Sequence, residues 1–176
     1  LFLSIIVLYN EILFTIKDCI KCKYLHYVGR VAIEKNIEEF LKLDTEMKKV
    51  VVGGGPKLNS YKKKYKDVDF LGYKQGKELA DIYRDAACFV FPSKTDTFGI
   101  VLIEALACGT PIAGFNVTGP KDIVVNGVNG SLTDDNLLDA VNKALKCNRE
   151  VVNETSIDYT WEKVTQQFIN SLVPVK

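Results

Sequence analysis

Short apolar runs alternate along the chain with stretches in which apolar residues recur at helical spacing. Brief apolar runs bounded by glycine or polar residues predict six strands: Tyr24–Val28, Val50–Val52, Val68–Leu71, Cys88–Phe91, Pro111–Phe115 and Gly130–Leu132. Helical spacing predicts helices within six further stretches: Asn36–Lys49, Leu58–Tyr65, Lys77–Ala87, Phe98–Ala107, Asn136–Lys146 and Tyr159–Leu172. This alternation is typical of an α/β fold, with a parallel sheet covered by helices on both faces.

Glycine and polar residues collect where the predicted strands end. They form four segments, Gly29–Arg30, Gly53–Gly55, Gly72–Tyr73 and Ser93–Gly99. Ligands of open parallel sheets bind beyond the carboxyl ends of the strands, so this rim is the candidate site. The GGGP sequence from Gly53 matches neither the dinucleotide fingerprint nor the P-loop, and a simple turn explains it equally well.

Composition narrows the function classes. The 176 residues carry 23 basic and 22 acidic side chains, and this balance gives no sign of a nucleic-acid partner. The basic run Lys62–Lys66 is interpreted as a solvated helix face. The five cysteines are scattered, which favours a reducing, cytoplasmic setting over a disulfide framework. Cys88, Cys108 and the sole histidine, His26, lie in apolar stretches and are expected to be structural.

The first residues form the most apolar part of the chain. Asn10 and Glu11 interrupt this part, so no run reaches the roughly 20 residues that a membrane span requires. The start is not basic and has no small-residue cleavage site, which argues against a signal peptide. We therefore divide the chain into an apolar N-terminal extension or remnant, residues 1–23, and one domain, residues 24–176.

Two cations and a predicted helix start suggest a phosphate site. Arg30 and Lys35 follow the first strand, and together they would supply a planar fork and a compact charge for a diphosphate. The N–H groups of Phe98, Gly99 and Ile100 would open the helix across the rim, and a helix N-terminus binds anions. The alternative is that the two cations are ordinary surface charges.

Two acids bracket that helix start. Asp96 and Glu104 are eight positions apart, a little over two helical turns, so they would lie on roughly the same side. A carboxylate accepts two hydrogen bonds side by side, which suits the vicinal hydroxyls of a sugar. The alternative is that Asp96 caps the helix and Glu104 is half exposed.

The stretch FPSKTDTFGIVLIEALACGTPIAGFNVTGP, Phe91–Pro120, resembles the donor-binding signature of retaining glycosyltransferases of the GT-B architecture (group 1, family 4-like). These enzymes carry E-x7-E at this place, and the resemblance runs from GRVAIEKN to about Lys146. It implies a Rossmann-like domain that forms one half of a GT-B fold. One departure is that Asp96 replaces the first glutamate, which we interpret as substrate tuning.

The resemblance assigns roles residue by residue. Arg30 and Lys35 would bind the diphosphate, and Asp96 would contact the transferred sugar; these three are the expected catalytic residues. Glu104 would hold the ribose of the nucleotide. The remaining expected donor-binding residues line the sugar, phosphate and base or border the crevice: Gly54, Gly72, Tyr73, Thr97, Phe98, Gly99 and Ile100.

The expected activity is transfer of a sugar from a UDP- or GDP-linked donor to an acceptor with retention, in glycan biosynthesis. The resemblance implies no cofactor and no metal. Residues 1–23 are too few for the acceptor-binding domain of such enzymes, so we expect that domain to be missing or to reside in a partner chain, and the isolated chain to be inactive. A non-catalytic nucleotide-sugar-binding module and a degenerate fragment stay open as alternatives, as does peripheral association of the full enzyme with the inner face of a membrane.

Overall fold

One six-stranded parallel sheet organises the computed structural model, which describes residues 24–95 and 99–160 together with positions 163, 165, 166, 169 and 170. The strands are β1 (Tyr24–Val28), β2 (Lys48–Val52), β3 (Val68–Gly72), β4 (Cys88–Phe91), β5 (Ile112–Phe115) and β6 (Gly130–Thr133). Their order in the sheet is β3-β2-β1-β4-β5-β6. All six predicted strands are confirmed, and their order is that of a Rossmann-like sheet. The strands are added outward on one side from β1 to β3 and on the other side from β4 to β6, so the strand order reverses between β1 and β4.

Helices cover both faces of this sheet, as predicted. They are α1 (Ile37–Leu41), α2 (Leu58–Lys64), α3 (Gly76–Asp85), α4 (Ile100–Ala107), α5 (Pro120–Ile123), α6 (Leu137–Ala144) and α7 (Arg149–Glu154). One apolar layer contains Phe40, Tyr61 and Val141 from α1, α2 and α6. The other contains Tyr83, Leu102 and Val152 from α3, α4 and α7. None of the described helices is both long and apolar enough to cross a bilayer.

The helix predicted over Asn36–Lys49 is wrong beyond its first turns. Helix α1 ends at Leu41, and Lys48 and Lys49 already belong to β2. The ammonium group of Lys49 is buried and donates to the carbonyl oxygens of Leu41 (2.8 Å) and Leu43 (3.2 Å). A charged side chain thus satisfies carbonyl groups that a longer helix would have paired internally, and it ends the helix early.

The C-terminal part of the chain contains elements that the sequence pattern did not predict. Helices α5 and α7 have four and six residues, too few to show a helical period. Asn148 caps α7 by accepting hydrogen bonds from the N–H groups of Glu150 (2.9 Å) and Val151 (3.4 Å). Of the helix predicted over Tyr159–Leu172, Tyr159 ends a 3-10 turn that begins at Thr155. Positions 163, 165, 166, 169 and 170 are helical, and seven other positions of this stretch lie outside the described residues.

Strands β1 and β4 form the seam of the sheet. They pair only at Leu25–Cys88 and His26–Phe89, whereas β1 pairs with β2 over all five of its residues. The last two residues of β1 and of β4 are therefore not paired across the seam. Ligands of Rossmann-like sheets bind at this point, where the strand order reverses.

Candidate functional site

Glycine-rich turns join the loops at the carboxyl ends of the first three strands. The N–H of Gly53 donates to the carbonyl of Gly72 (2.7 Å), and the N–H of Val31 donates to that of Gly54 (2.9 Å). Gly53 has φ of +121°, and a Cβ added there would lie 2.1 Å from the carbonyl oxygen of Gly29. The glycine run thus permits close approach of two loops, while Gly54 itself is exposed and has open space around its Cα.

The loop after β1 also contacts the loop after β4, across the seam. The side-chain amide of Asn36 donates to the carbonyl of Pro92 (3.0 Å), and the hydroxyl of Thr95 donates to the carbonyl of Glu34 (3.2 Å). Asn36 adopts a left-handed conformation (φ of 50°) that ends the short 3-10 turn Ile33–Lys35. These contacts bring the segment with both predicted cations against the loop that leads into α4.

The two cations differ in exposure. Arg30 is exposed and forms an ion pair with Glu34 (3.2 Å), in which both side chains are more than half exposed. Its backbone is fixed because the Tyr27 hydroxyl donates to the Arg30 carbonyl (2.8 Å). Lys35 is half-buried at the end of the 3-10 turn. Exposed ion pairs are weak, so Glu34 offers little competition to a phosphate for Arg30.

Helix α4 begins at Ile100, directly after Gly99. Gly99 adopts a left-handed conformation (φ of 69°), and its carbonyl accepts the N–H of the buried Leu102 (2.8 Å). The first N–H groups of a helix lack partners within it and are available to an anion. Three predicted site residues, Asp96, Thr97 and Phe98, lie outside the described residues. The roles of all the predicted site residues stay predictions.

Glu104 is half-buried on α4 and contacts α3. Its Oε2 accepts a hydrogen bond from the hydroxyl of Tyr83 (3.0 Å). Burial raises the pKa of Glu104, and the bond from Tyr83 partly offsets that rise. Burial and the adjacent carboxylate together place the pKa of Tyr83 well above its usual range. The helical spacing of Lys77–Ala87 placed Tyr83 in an apolar stripe, so sequence reasoning missed this contact.

The other predicted site residues are placed at the β3 end of the rim. Gly72 has φ of +72° at the end of β3, the edge strand next to β2, and Tyr73 is 66% exposed immediately after it. A hydrogen bond joins Gly53 to Gly72, and the next residue, Gly54, accepts one from Val31 in the loop after β1. The rim is thus continuous from β3 to the seam.

The histidine and the two cysteines that the sequence places in apolar stretches are buried in the structure. His26 is fully buried, its Nδ1 lies 3.2 Å from the carbonyl oxygen of Cys88, and burial lowers its pKa to about 3. Cys88 and Cys108 are buried, and burial raises the pKa of Cys108 to about 12. Within residues 24–95 and 99–160, no three His, Cys, Asp or Glu side chains are grouped so that they could hold a metal ion.

A Rossmann-like sheet with a phosphate-suited rim at its seam is typical of nucleotide-binding enzymes. Residues 20–157 match the model of the family described as glycosyl transferases group 1, and the chain belongs to this family. It is 37% identical over 114 residues to a GDP-mannose-dependent alpha-mannosyltransferase of Corynebacterium glutamicum, covering 64% of this chain and 28% of that protein. It is 27% identical over 178 residues to O-antigen chain mannosyltransferase B of Escherichia coli, covering 84% of this chain and 45% of the relative.

Solved GT-B glycosyltransferases share the fold. The apo form of the lipopolysaccharide outer core galactosyltransferase WaaB superimposes with a TM-score of 0.73 at 19% identity, over 87% of this chain and 49% of that one. Anabaena HepE in complex with UDP gives a TM-score of 0.67 at 19% identity, over 94% of this chain and 54% of that one. The chain thus spans about half of each of these structures, and 28% and 45% of the two relatives named above.

Proposed function

We propose that the chain is the donor-binding part of a glycosyltransferase that moves a sugar from a nucleoside diphosphate to an acceptor with retention. The observation that carries this proposal is the pair of hydrogen bonds, Asn36 to Pro92 and Thr95 to Glu34, that join the loops on both sides of the seam. They set the segment containing Arg30 and Lys35 beside the segment that leads into α4. A diphosphate is the ligand that suits two cations and a helix N-terminus around one crevice.

The chemistry follows from where charge develops. Negative charge accumulates on the diphosphate as the bond to the sugar breaks, and groups aimed at that charge lower the barrier. In this proposal Arg30 supplies two parallel donors, Lys35 a compact charge, and the N–H groups at the start of α4 a fixed positive potential. No metal ion is then required to neutralise the leaving group.

Carboxylates and loop residues would hold the two sugars and the base. Glu104 accepts hydrogen bonds from the ribose hydroxyls, and Asp96 contacts the transferred sugar. Gly72 and Tyr73 lie near the base, while Gly54 borders the crevice. Thr97, Phe98, Gly99 and Ile100 line the sugar and phosphate.

Relatives support a nucleotide-sugar donor. The mannosyltransferase of C. glutamicum is named as GDP-mannose-dependent, and the HepE structure contains UDP. We therefore propose a UDP- or GDP-linked sugar as the donor of this chain.

The acceptor site would come from elsewhere. Because the chain matches less than half of its curated relatives' length, we propose that a further domain or a partner chain binds the acceptor. Transfer would require that element, and binding of the donor would not. We propose a cytoplasmic setting for the full enzyme, with peripheral contact to the inner face of a membrane.

Calorimetric titration with UDP, GDP and their hexose conjugates tests the donor site. We expect either the uridine or the guanosine nucleotides to bind. We expect Glu104→Ala to abolish this binding, because the ribose hydroxyls lose the carboxylate that accepts their hydrogen bonds. The matched control is Glu150→Ala, which removes an exposed glutamate of α7. If the folded chain binds neither nucleotide, or if Glu104→Ala binds as tightly as the wild type, the proposal is wrong.

A further inference from the structure

Tyr83 is a buried tyrosine whose hydroxyl reaches the candidate site. Its side chain is 1% exposed. The hydroxyl lies 3.0 Å from Glu104 Oε2 and 3.4 Å from the carbonyl oxygen of Val101. A hydroxyl has one proton to donate, and an ionised carboxylate at the shorter distance is the stronger acceptor. The Tyr83–Glu104 bond therefore links α3 to α4 inside the protein.

The tyrosine is held in place from several elements. Its ring packs edge-on against His26 of β1, with centroids 4.8 Å apart, and against Phe89 of β4 at 5.6 Å. Its own carbonyl accepts a hydrogen bond from the Thr110 hydroxyl (2.6 Å), and that hydroxyl accepts one from the Arg149 guanidinium (3.3 Å). These contacts from β1, β4 and Thr110 hold the tyrosine, and with it the hydroxyl, in one position.

Glu104 is the side chain that the Tyr83 hydroxyl orients. Only Oε2 of its carboxylate is hydrogen-bonded within the part of the chain that the structure describes. Fixing Oε2 on Tyr83 sets the rotation of the carboxylate and leaves Oε1 to accept from a ligand. Binding is stronger when a polar group is ordered beforehand, because the ligand does not have to order it.

We propose that Tyr83 is a positioning residue that orients the Glu104 carboxylate toward the ribose of the donor and thereby sets the preference for ribose over deoxyribose. This rests on the proposed function, in which Glu104 binds the ribose hydroxyls. Tyr83 itself does not touch the nucleotide. Its effect should appear only where the 2′-hydroxyl contributes to binding.

The test compares UDP with 2′-deoxy-UDP, or the guanosine pair if that base is the one bound. Dissociation constants are measured by calorimetry for the wild type, Tyr83→Phe, Glu104→Gln and the double variant. Tyr65→Phe is the matched control, because it removes another tyrosine hydroxyl that donates to a glutamate, Glu38 (2.7 Å), on the opposite face of the sheet. Thermal unfolding checks that each variant is folded.

We expect Tyr83→Phe to lower the ribose preference by about threefold to tenfold. This is less than the effect of losing a direct hydrogen bond to a charged group, because Tyr83 acts on the ribose only through Glu104. Glu104→Gln should remove most of the preference, and the double variant should lose no more. Tyr65→Phe should keep the wild-type ratio. A general structural defect would instead weaken both nucleotides equally and leave the ratio unchanged.

The outcomes separate the two proposals. If Glu104→Gln keeps the full ribose preference, the ribose contact of the proposed function is wrong. If Glu104→Gln loses the preference while folded Tyr83→Phe keeps it, only the role of Tyr83 is overturned. Should Tyr83→Phe not fold, Glu104→Asp withdraws the carboxylate from both the Tyr83 hydroxyl and the ribose, and an unchanged ratio in that variant would overturn both proposals.

Discussion

Arg30 is held only loosely in this structure, and the proposed complex with a diphosphate would hold it more tightly. Its ion pair with Glu34 is exposed on both sides, so water screens it and it stabilises the fold little. A diphosphate offers the same guanidinium two oxygens and a larger charge. In the proposed function, the Arg30–Glu34 pair would therefore compete only weakly with the diphosphate for this side chain.

Replacing Arg30 with alanine should therefore affect binding much more than folding. We expect Arg30→Ala to weaken donor binding or lower turnover at least about tenfold, a loss of around 1.4 kcal/mol. The midpoint of urea unfolding should stay close to that of the wild type. Calorimetry and urea titration measure the two quantities.

Lys63→Ala is the control for this variant, because it removes an exposed cation of α2. It should leave nucleotide affinity unchanged. Equal loss of affinity in both variants would mean that Arg30 acts only through net charge, and full affinity in Arg30→Ala would remove it from the site.

Single residues also show what sequence reasoning can and cannot find in a site. Glu104 was detectable because a carboxylate inside an apolar helix is costly without a partner. Its partner Tyr83 was not, because a tyrosine in an apolar helical stripe has the same pattern whether its hydroxyl is used or not. The contact joins residues 21 positions apart on different helices, and no periodicity encodes it.

At the scale of elements, the turn after β2 packs so closely against the loop after β1 that its first residue must be glycine. The φ of Gly53 (+121°) and the nearness of the Gly29 carbonyl both exclude a side chain there. Gly54, one residue on, meets nothing within 4 Å. The two glycines are adjacent in sequence, but only the position of Gly53 excludes a side chain, whereas that of Gly54 has room for one.

This contrast predicts opposite results for two alanine variants. Gly53→Ala should lower the free energy of unfolding by about 2 kcal/mol or more, since it adds a clash and a strained backbone. Gly54→Ala should change stability by less than about 0.5 kcal/mol. Urea unfolding of both variants checks this, and equal stabilities would contradict the loop packing described above.

The elements were predicted unevenly for a physical reason. All six strands were found because buried parallel strands are short, apolar and bounded by glycine or polar residues. Helix α1 was predicted too long because Met47 continues the apolar pattern of its face, although less regularly. The buried ammonium of Lys49 instead satisfies the carbonyl groups at and just after the end of the helix. Helices as short as α5 and α7 have no period to detect.

At the scale of the whole molecule, His26 couples stability to pH. It is the only histidine of the chain, it is buried in β1, and burial lowers its pKa from 6.5 to about 3. In the unfolded chain His26 therefore becomes protonated below about pH 6.5, whereas in the folded chain it becomes protonated only near pH 3. The contribution of the neutral His26 to the free energy of unfolding should be fully present above pH 6.5 and should decrease as the pH falls from 6.5 toward 3.

We expect the free energy of unfolding to decrease by up to about 1.4 kcal/mol for each pH unit below 6.5. Urea unfolding at several values between pH 7.5 and 5 measures the slope, in a range above the titration of ordinary carboxylates. His26→Phe should flatten the slope over this range. A wild-type stability that does not change between pH 7.5 and 5 would contradict the assignment.

The order of the strands has a consequence for how the protein is made. The contacts between the loops at the seam, Asn36 to Pro92 and Thr95 to Glu34, join residues 56 and 61 positions apart. Domains fold as their sequence emerges from the ribosome, and distant contacts form late. A nascent chain that ends before Phe91 already contains Arg30 and Lys35 but lacks the loop after β4 that their segment contacts. The proposed donor site can therefore form only after β4 has paired with β1.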